Sequence, residues 1–194
     1  MPWPRNMAQP GNKTSANRTI DHCFRTAYGV RRFELADTVV YDQRRITERL
    51  MDIINIDPAN RRDARRFLDF PFRLYRRIPQ WVPPFDSDAR RMLDRRQHPF
   101  YQHSEAAFLI AQQADRVVGR LAVLDNRRYN DFNHTRTALF YLFEAENDFE
   151  ISRGLFNAAF DWARARGLTE MTGPKGFTAL DGMGLLVKGF EHRP

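Results

Sequence analysis

The sequence is poor in several features that would assign it to a class of protein. Cys23 is the only cysteine, so no internal disulfide can form, and a reducing compartment is expected. No apolar run approaches the roughly 20 residues that a membrane-spanning helix needs. The N-terminal residues also lack the apolar segment of a secretory signal. We therefore expect a cytoplasmic protein with no membrane partner.

Recognisable metal and nucleotide motifs are missing too. The five histidines and the one cysteine are scattered without the spacing of a metal site, so no metal is expected. Gly173–Gly184 is rich in glycine, but it contains no G-x-G-x-x-G that follows a strand and starts a helix. Within this segment, Lys175 beside Gly173 and Gly176 could offer a weak anion site.

Positive charge is abundant although lysine is scarce. The net charge is +7, and only 3 of the 31 basic residues are lysine. Arginine suits phosphate and carboxylate clamps, so an anionic partner is a possibility. One face of a predicted helix carries much of this charge: Arg61, Arg62, Arg65, Arg66, Arg73, Arg76 and Arg77. No aromatic platform or nucleic-acid motif accompanies that face, so a solvated surface or a subunit contact is favoured over nucleic-acid binding.

Composition divides the chain into an N-terminal extension and one domain. Residues 1–45 are basic and rich in polar residues and proline, which predicts a flexible extension. Glu34–Tyr41 within it could be a short strand or a helical turn. Residues 46–194 have the apolar content of one folded domain with its own core.

The first half of the domain predicts a strand followed by two helices. Leu50–Ile56 has the composition of a strand. Asn60 can cap a helix whose apolar positions continue to Ile78, and Pro71 is expected to kink or split that helix near Asp69 and Phe70. A second, shorter helix is predicted from Asp86 to about Arg96.

The centre of the domain is Glu105–Glu146, which contains three apolar runs. Ala106–Ala111, Val117–Leu124 and Ala138–Phe143 predict antiparallel strands covered on both faces, with a polar loop over Asp125–Thr137. A helix over Asp148–Arg166 and a strand over Leu168–Thr172 complete the order. This order predicts an α/β fold with a central, mainly antiparallel sheet flanked by helices.

The order and several motifs resemble the GNAT superfamily of acyl-CoA-dependent N-acyltransferases, and within it an uncharacterised bacterial GNAT-like family. The motifs, which together span about Asp52 to the C-terminus, are Phe67–Tyr75 (FLDFPFRLY), Trp81–Pro84 (WVPP), His98–Tyr101 (HPFY), Arg116–Ala122 (RVVGRLA), Gly173-Pro174 and Gly184–Phe190 (GLLVKGF). Members of that family are longer, so the resemblance implies a GNAT-like fold that is incomplete at its C-terminus, with the missing C-terminal half or a second copy as a possible partner.

The resemblance also implies where a cofactor and a catalytic base would lie. In GNAT proteins the pantetheine arm of acyl-CoA follows the third central strand, which places Tyr141 and Phe143 on the cofactor strand. The pyrophosphate lies at the start of the next helix, where Arg153 could meet it. Glu144 and Glu146, at the end of the strand, are candidate bases for deprotonating an amine, and solvated strand-end carboxylates are the alternative.

One departure from the family pattern bears on function. The loop that should be rich in glycine is instead acidic, with Glu144, Glu146, Asp148 and Glu150, and acids at a helix start stabilise the helix while opposing a phosphate. The expected function is acetyl-CoA-dependent transfer of an acyl group to an unknown amine. The alternatives are a non-catalytic GNAT-like binding or scaffold module and, less favoured, a basic nucleic-acid-associated domain.

Overall fold

The computed structural model describes residues 51–178, 180–189 and 191–192; the predicted extension, including Glu34–Tyr41, lies outside them. In chain order, the elements are β1 (Met51–Asn55), α1 (Arg61–Leu74), α2 (Asp86–Leu93), a 3-10 helix (Pro99–Gln102), β2 (Glu105–Gln113), β3 (Arg116–Asp125), α3 (Arg127–Asn133), β4 (Thr137–Ala145), α4 (Phe149–Arg164) and β5 (Glu170–Thr172). Within this part of the chain, none of the helices is both long and apolar enough to cross a bilayer.

The five strands form one sheet in the order β1-β2-β3-β4-β5. The first three pairs are antiparallel, and β4 pairs with β5 in parallel from Thr137–Glu170 to Leu139–Thr172. The predicted α/β class with a mainly antiparallel sheet is therefore confirmed. Residues of β2 and β3 are buried at nearly every position, as expected for strands covered on both faces.

Helix α4 covers one face of the sheet, here called the α4 face. Its buried stripe consists of Ile151, Leu155, Ala159 and Ala163. Gly119 on β3 allows the close approach, because a Cβ there would lie 2.7 Å from Ile151 Cγ2. Gly154 allows the close approach from the helix side, since a Cβ at this position would lie 2.6 Å from Met51 Cε. This face is a tightly packed, apolar layer.

Helix α1 covers the opposite face, here called the α1 face. Asn60 caps the helix as predicted, its side chain accepting from the N–H groups of Arg62 and Asp63. Phe67 and Phe70 point inward, and the Phe67 ring contacts Phe108 of β2 edge-on with centroids 5.3 Å apart. The core on this face is more aromatic than the core on the other.

Three expectations for the helices were wrong. Pro71 does not split α1, which runs unbroken to Leu74 and ends there instead of continuing toward Ile78. The predicted polar loop over Asp125–Thr137 contains the short helix α3, capped by Asn126 and held by the buried Asn130, whose side chain bonds to the Thr137 backbone and to Thr135. The predicted helix at Asp86 ends earlier than expected, at Leu93.

Candidate functional site

The candidate site is built around a break in the pairing of β3 with β4. The register shifts between Arg120, which pairs with Glu144, and Ala122, which pairs with Tyr141, so two residues of β4 oppose one of β3. Leu142 lies in this β-bulge with a φ of +50°, in the left-handed region that side chains with a Cβ rarely adopt. Bulges of this kind redirect side chains and end local pairing, and they are frequent beside functional sites.

The outer edge of β4 becomes open at the same place. Pairing with β5 stops at Leu139, and the last bond in the described structure on that side is from Lys175 N to Phe140 O at 2.9 Å. Since Glu146 N bonds to Val118 O, the alternation of an antiparallel pair directs the backbone groups of Ala145 away from β3. The end of β4 thus offers free strand edge immediately before α4 begins at Phe149.

Glu144, a predicted base, is held by a buried arginine. Arg120 is 4% exposed, and its Nε lies 2.5 Å from Glu144 Oε2. The same guanidinium donates through Nη1 to Phe67 O at 3.0 Å and lies 4.9 Å above the Phe67 ring. Glu144 is therefore the counter-ion of an otherwise uncompensated buried charge, a structural role that competes with proton transfer.

The free carbonyl of Phe67 has a simple origin in the sequence. In a helix, Phe67 O would accept from the N–H of the residue four positions on, but that residue is Pro71, which has none. Arg120 supplies the missing donor from β3. This interaction satisfies the carbonyl that the proline leaves free, and it connects α1 to the bulge through Glu144.

Glu146, the other predicted base, also lies among arginines. Its carboxylate is 2.7 Å from Arg116 Nη2 and 4.0 Å from Arg73 Nη2, and both of these pairs lie at the surface. Arg73 donates in addition to the Val117 carbonyl. The structure thus brings Glu144 and Glu146 to one strand end, as predicted, and gives each an arginine partner.

The start of α4 is capped by its own residues. Asp148 Oδ1 accepts from Glu150 N at 2.9 Å, which agrees with the expectation that the acids of this loop stabilise the start of the helix. Arg153, predicted to meet a phosphate, pairs with Glu150 one turn earlier. Each of the four loop acids therefore has a partner within the fold, so the loop carries less uncompensated negative charge than its sequence indicates.

Tyr141 and Phe143, both predicted on the cofactor strand, point to opposite faces. Phe143 packs on Phe156 of α4, with ring centroids 5.0 Å apart. Tyr141 lies on the α1 face, where its hydroxyl accepts from the Gly182 N–H, and burial together with the nearby Asp181 carboxylate raises its pKa. The phenol is thus held in its neutral form beside the bulge.

An aromatic cluster beside Tyr141 was not foreseen. Phe177, in the glycine-rich segment, is 3% exposed, and its ring contacts His98, Phe100, Tyr101, Phe108 and Tyr141 with centroids 5.0–6.4 Å apart. Lys175, the predicted weak anion site, instead places its Nζ 4.0 Å from the centre of the Tyr129 ring. In the sequence, the only indication of this cluster was a single phenylalanine, Phe177, within a glycine-rich segment. The indication of the buried ion pair was Arg120, a charged residue within an apolar strand.

A separate cleft of about 390 Å³ lies at the other end of the sheet. It is lined by Glu105 at the start of β2 and by Trp162 and Arg166 near the end of α4. Arg166 forms an ion pair with Glu105 and a cation–π contact with the Trp162 ring. The cleft is remote from the bulge, so we attach no chemistry to it. Among the described residues, no group of three or more His, Cys, Asp or Glu side chains is placed to hold a metal ion.

Two curated bacterial proteins are similar to the chain in sequence. A bacterial ceramide synthase from Caulobacter vibrioides (strain NA1000 / CB15N) is 33% identical over 133 residues, and protein YghO from Escherichia coli (strain K12) is 27% identical over 135 residues. The matches cover 68% and 70% of the chain but only 35% and 34% of the relatives. The chain therefore spans about a third of the length of the curated relatives that it matches.

Solved structures provide the remaining comparisons, since no protein-family model matches the sequence. A tandem GNAT protein from the clavulanic acid biosynthesis pathway has a TM-score of 0.49 at 18% identity, covering 60% of this chain and 34% of that one. A GNAT-family acetyltransferase from Desulfovibrio desulfuricans has a TM-score of 0.46 at 13% identity, covering 67% and 78%. Both of these solved structures are GNAT proteins, members of the superfamily that the sequence resembles.

Proposed function

We propose that the chain carries the acyl-CoA-binding part of an N-acyltransferase that acts on a long-chain primary amine. The observation that carries this proposal is the bulge at Leu142, where β4 leaves its register with β3 and its outer edge becomes open. An open strand edge can pair with the amide groups of a pantetheine arm in the way that an added peptide strand would.

The second support is the position of helix α4. The strand edge ends at Ala145, and the helix begins four residues later, so a cofactor that follows the edge reaches the N-terminal end of the helix dipole. The pairing of Glu144, Glu146 and Glu150 with arginines reduces the repulsion that these acids would exert on a pyrophosphate.

The class of acceptor follows from the sequence relative. A ceramide is an amide of a long-chain acid and a sphingoid base, and the similar Caulobacter protein is a ceramide synthase. In the proposed reaction the ammonium first gives one proton to a base, and the amine nitrogen then bonds to the acyl carbon of the thioester. The carbon–sulfur bond breaks, and a second proton from the nitrogen passes to the leaving thiolate. The whole protein's substrate stays part of the proposal, because the chain spans a third of that relative.

Titration calorimetry tests cofactor binding directly. We expect the full chain to bind acetyl-CoA or a long-chain acyl-CoA, and Ala145→Pro to weaken that binding at least tenfold by removing an outward N–H. Ala145→Val keeps the N–H and is the matched control. Absence of binding at millimolar thioester, or equal binding by the two variants, would overturn the assignment of this edge.

A non-catalytic GNAT-like module is the second candidate, favoured by one specific observation. Glu144, Glu146 and Arg153 each have an ion-pair partner within the fold. Incubation with an acyl-CoA and a sphingoid base, followed by mass spectrometry and thiol detection, separates the two candidates. If the complete protein bound the cofactor but formed neither the amide product nor free thiol, the result would favour the non-catalytic module.

A further inference from the structure

The region beside Tyr141 contains a half-buried carboxylate, that of Asp181, next to a cluster of aromatic rings. We propose that Asp181, with Tyr141 and His98 beside it, is the site that binds the ammonium group of the acyl acceptor. This inference rests on the proposed function and names the acceptor side of the same site.

Asp181 is held in place by its own loop. Its Oδ2 accepts from Thr178 N at 2.7 Å. Gly176 makes this fold possible, because a Cβ at that position would lie 2.2 Å from Asp181 Cβ. The neighbouring Phe177 is buried in the aromatic cluster and anchors the loop to the α1 face. The carboxylate is therefore preorganised on a rigid base, half-buried rather than free in solvent.

The groups around Asp181 suit a cation. Tyr141 is tied to the same loop by the Gly182 N–H, and its ring and that of Phe177 lie 6.4 Å apart. His98 Nδ1 accepts from Phe100 N at 3.3 Å, so its proton lies on Nε2 when the ring is neutral. Burial lowers the pKa of His98, with Arg91 acting in the same direction and Asp181 against it. A carboxylate flanked by a neutral phenol, a neutral imidazole and aromatic rings is a typical setting for an ammonium ion.

The location agrees with the acceptor role. Tyr141 is the residue that precedes the bulge on β4, and the proposed thioester follows the edge that begins there. Leu180 and Met183, which flank Asp181 and Gly182 in sequence, are 97% and 67% exposed, so apolar surface is available beside the carboxylate. An amine with a hydrocarbon chain therefore fits better than a small polar amine.

Calorimetry with octylamine as the probe, below its micelle concentration at pH 7, tests the inference. We expect the full chain to bind octylamine, to bind the uncharged 1-octanol at least tenfold more weakly, and to lose at least tenfold in octylamine affinity on Asp181→Asn. Asparagine keeps the size of the side chain and can still accept from Thr178 N. The control is Asp115→Asn, at the exposed turn between β2 and β3.

The outcomes separate this inference from the proposed function. Equal octylamine affinity in the two variants, equal binding of octanol and octylamine, or no binding by the unaltered chain would each overturn the ammonium site. Loss of acyl-CoA binding is measured separately with the same variants. We expect Asp181→Asn to leave acyl-CoA affinity unchanged, and a chain that binds octylamine through Asp181 but binds no acyl-CoA would refute the proposed function and keep the amine site.

Discussion

The two faces of the sheet are packed with different kinds of side chain. The α4 face is closed by glycines, Gly119 and Gly154, which bring the helix down onto the strands. The α1 face instead contains a buried arginine, a half-buried histidine and a half-buried tyrosine among phenylalanines. Buried polar groups destabilise a core unless each has a partner, and an apolar layer achieves the same packing at lower cost. The polar groups of the α1 face therefore depend on their partners, as Arg120 depends on Glu144 and on the Phe67 carbonyl.

The sharpest test of this contrast is removal of the buried guanidinium. Arg120→Ala leaves Glu144 without its counter-ion in a mostly buried position, so we expect a loss of about 3–5 kcal/mol in the free energy of unfolding. Denaturant unfolding monitored by tryptophan fluorescence measures it. Arg116→Ala is the control, because its pair with Glu146 lies at the surface and contributes about 0–1 kcal/mol. Similar losses in both variants would mean that burial does not distinguish the two pairs.

A smaller effect is expected on the α4 face. Gly119→Ala places a methyl group against Ile151 and Leu155, and we expect overpacking to cost about 1–3 kcal/mol in the free energy of unfolding. Gly182→Ala is the control, since the nearest atom to its Cβ would be Tyr141 Oη at 3.9 Å, and its cost should stay below about 0.5 kcal/mol. If Gly119→Ala left the free energy of unfolding unchanged, α4 would be able to shift away from β3, contrary to a tightly packed layer.

The smallest effect concerns the protonation of His98. Its pKa is lowered in the folded protein, chiefly by burial. Since the folded state then binds fewer protons than the unfolded state, the stability contributed by the neutral ring is present above about pH 6.5 and is lost as the pH falls through the folded pKa. NMR titration of the imidazole should give a midpoint below the ordinary value.

Two variants locate the cause of that shift. Phe177→Ala opens the cluster and should move the midpoint upward, toward the ordinary value. Asp181→Asn removes the one charge that opposes the shift and should move the midpoint further down. Phe156→Ala, on the α4 face, is the control for a general loss of packing. A midpoint that moves with neither Phe177→Ala nor Asp181→Asn would place the cause outside the aromatic cluster.

The features predicted correctly from the sequence are those whose determining contacts lie within a few residues along the chain. Asn60 and Asp148 act as helix caps because their side chains reach N–H groups two or three positions away, and that spacing is visible in the sequence. The strands of the sheet centre were predicted within two residues of their observed bounds because their apolar runs end at turn residues.

The features missed from the sequence are those that depend on contacts between residues distant in the chain. Pro71 was expected to kink or split α1, and the side chain that donates to the carbonyl it leaves free, Phe67 O, lies 53 positions from Phe67 on β3. Helix α3 was missed because its stability depends on Asn130 bonding to the start of β4 rather than on an apolar stripe. The ion pair of Glu144 likewise joins it to Arg120 on another strand, 24 positions away, and does not follow from local spacing.

The bond from Arg120 to the Phe67 carbonyl limits how the sequence can vary. A proline usually weakens a helix, but here it leaves a carbonyl unoccupied for a side chain from the sheet. Replacing Pro71 by a residue with an N–H would create a competitor for that carbonyl, and replacing Arg120 would leave the carbonyl without a donor. Substitutions at positions 71 and 120 should therefore be tolerated together more readily than separately, and a protein engineer should treat the two residues as a single unit.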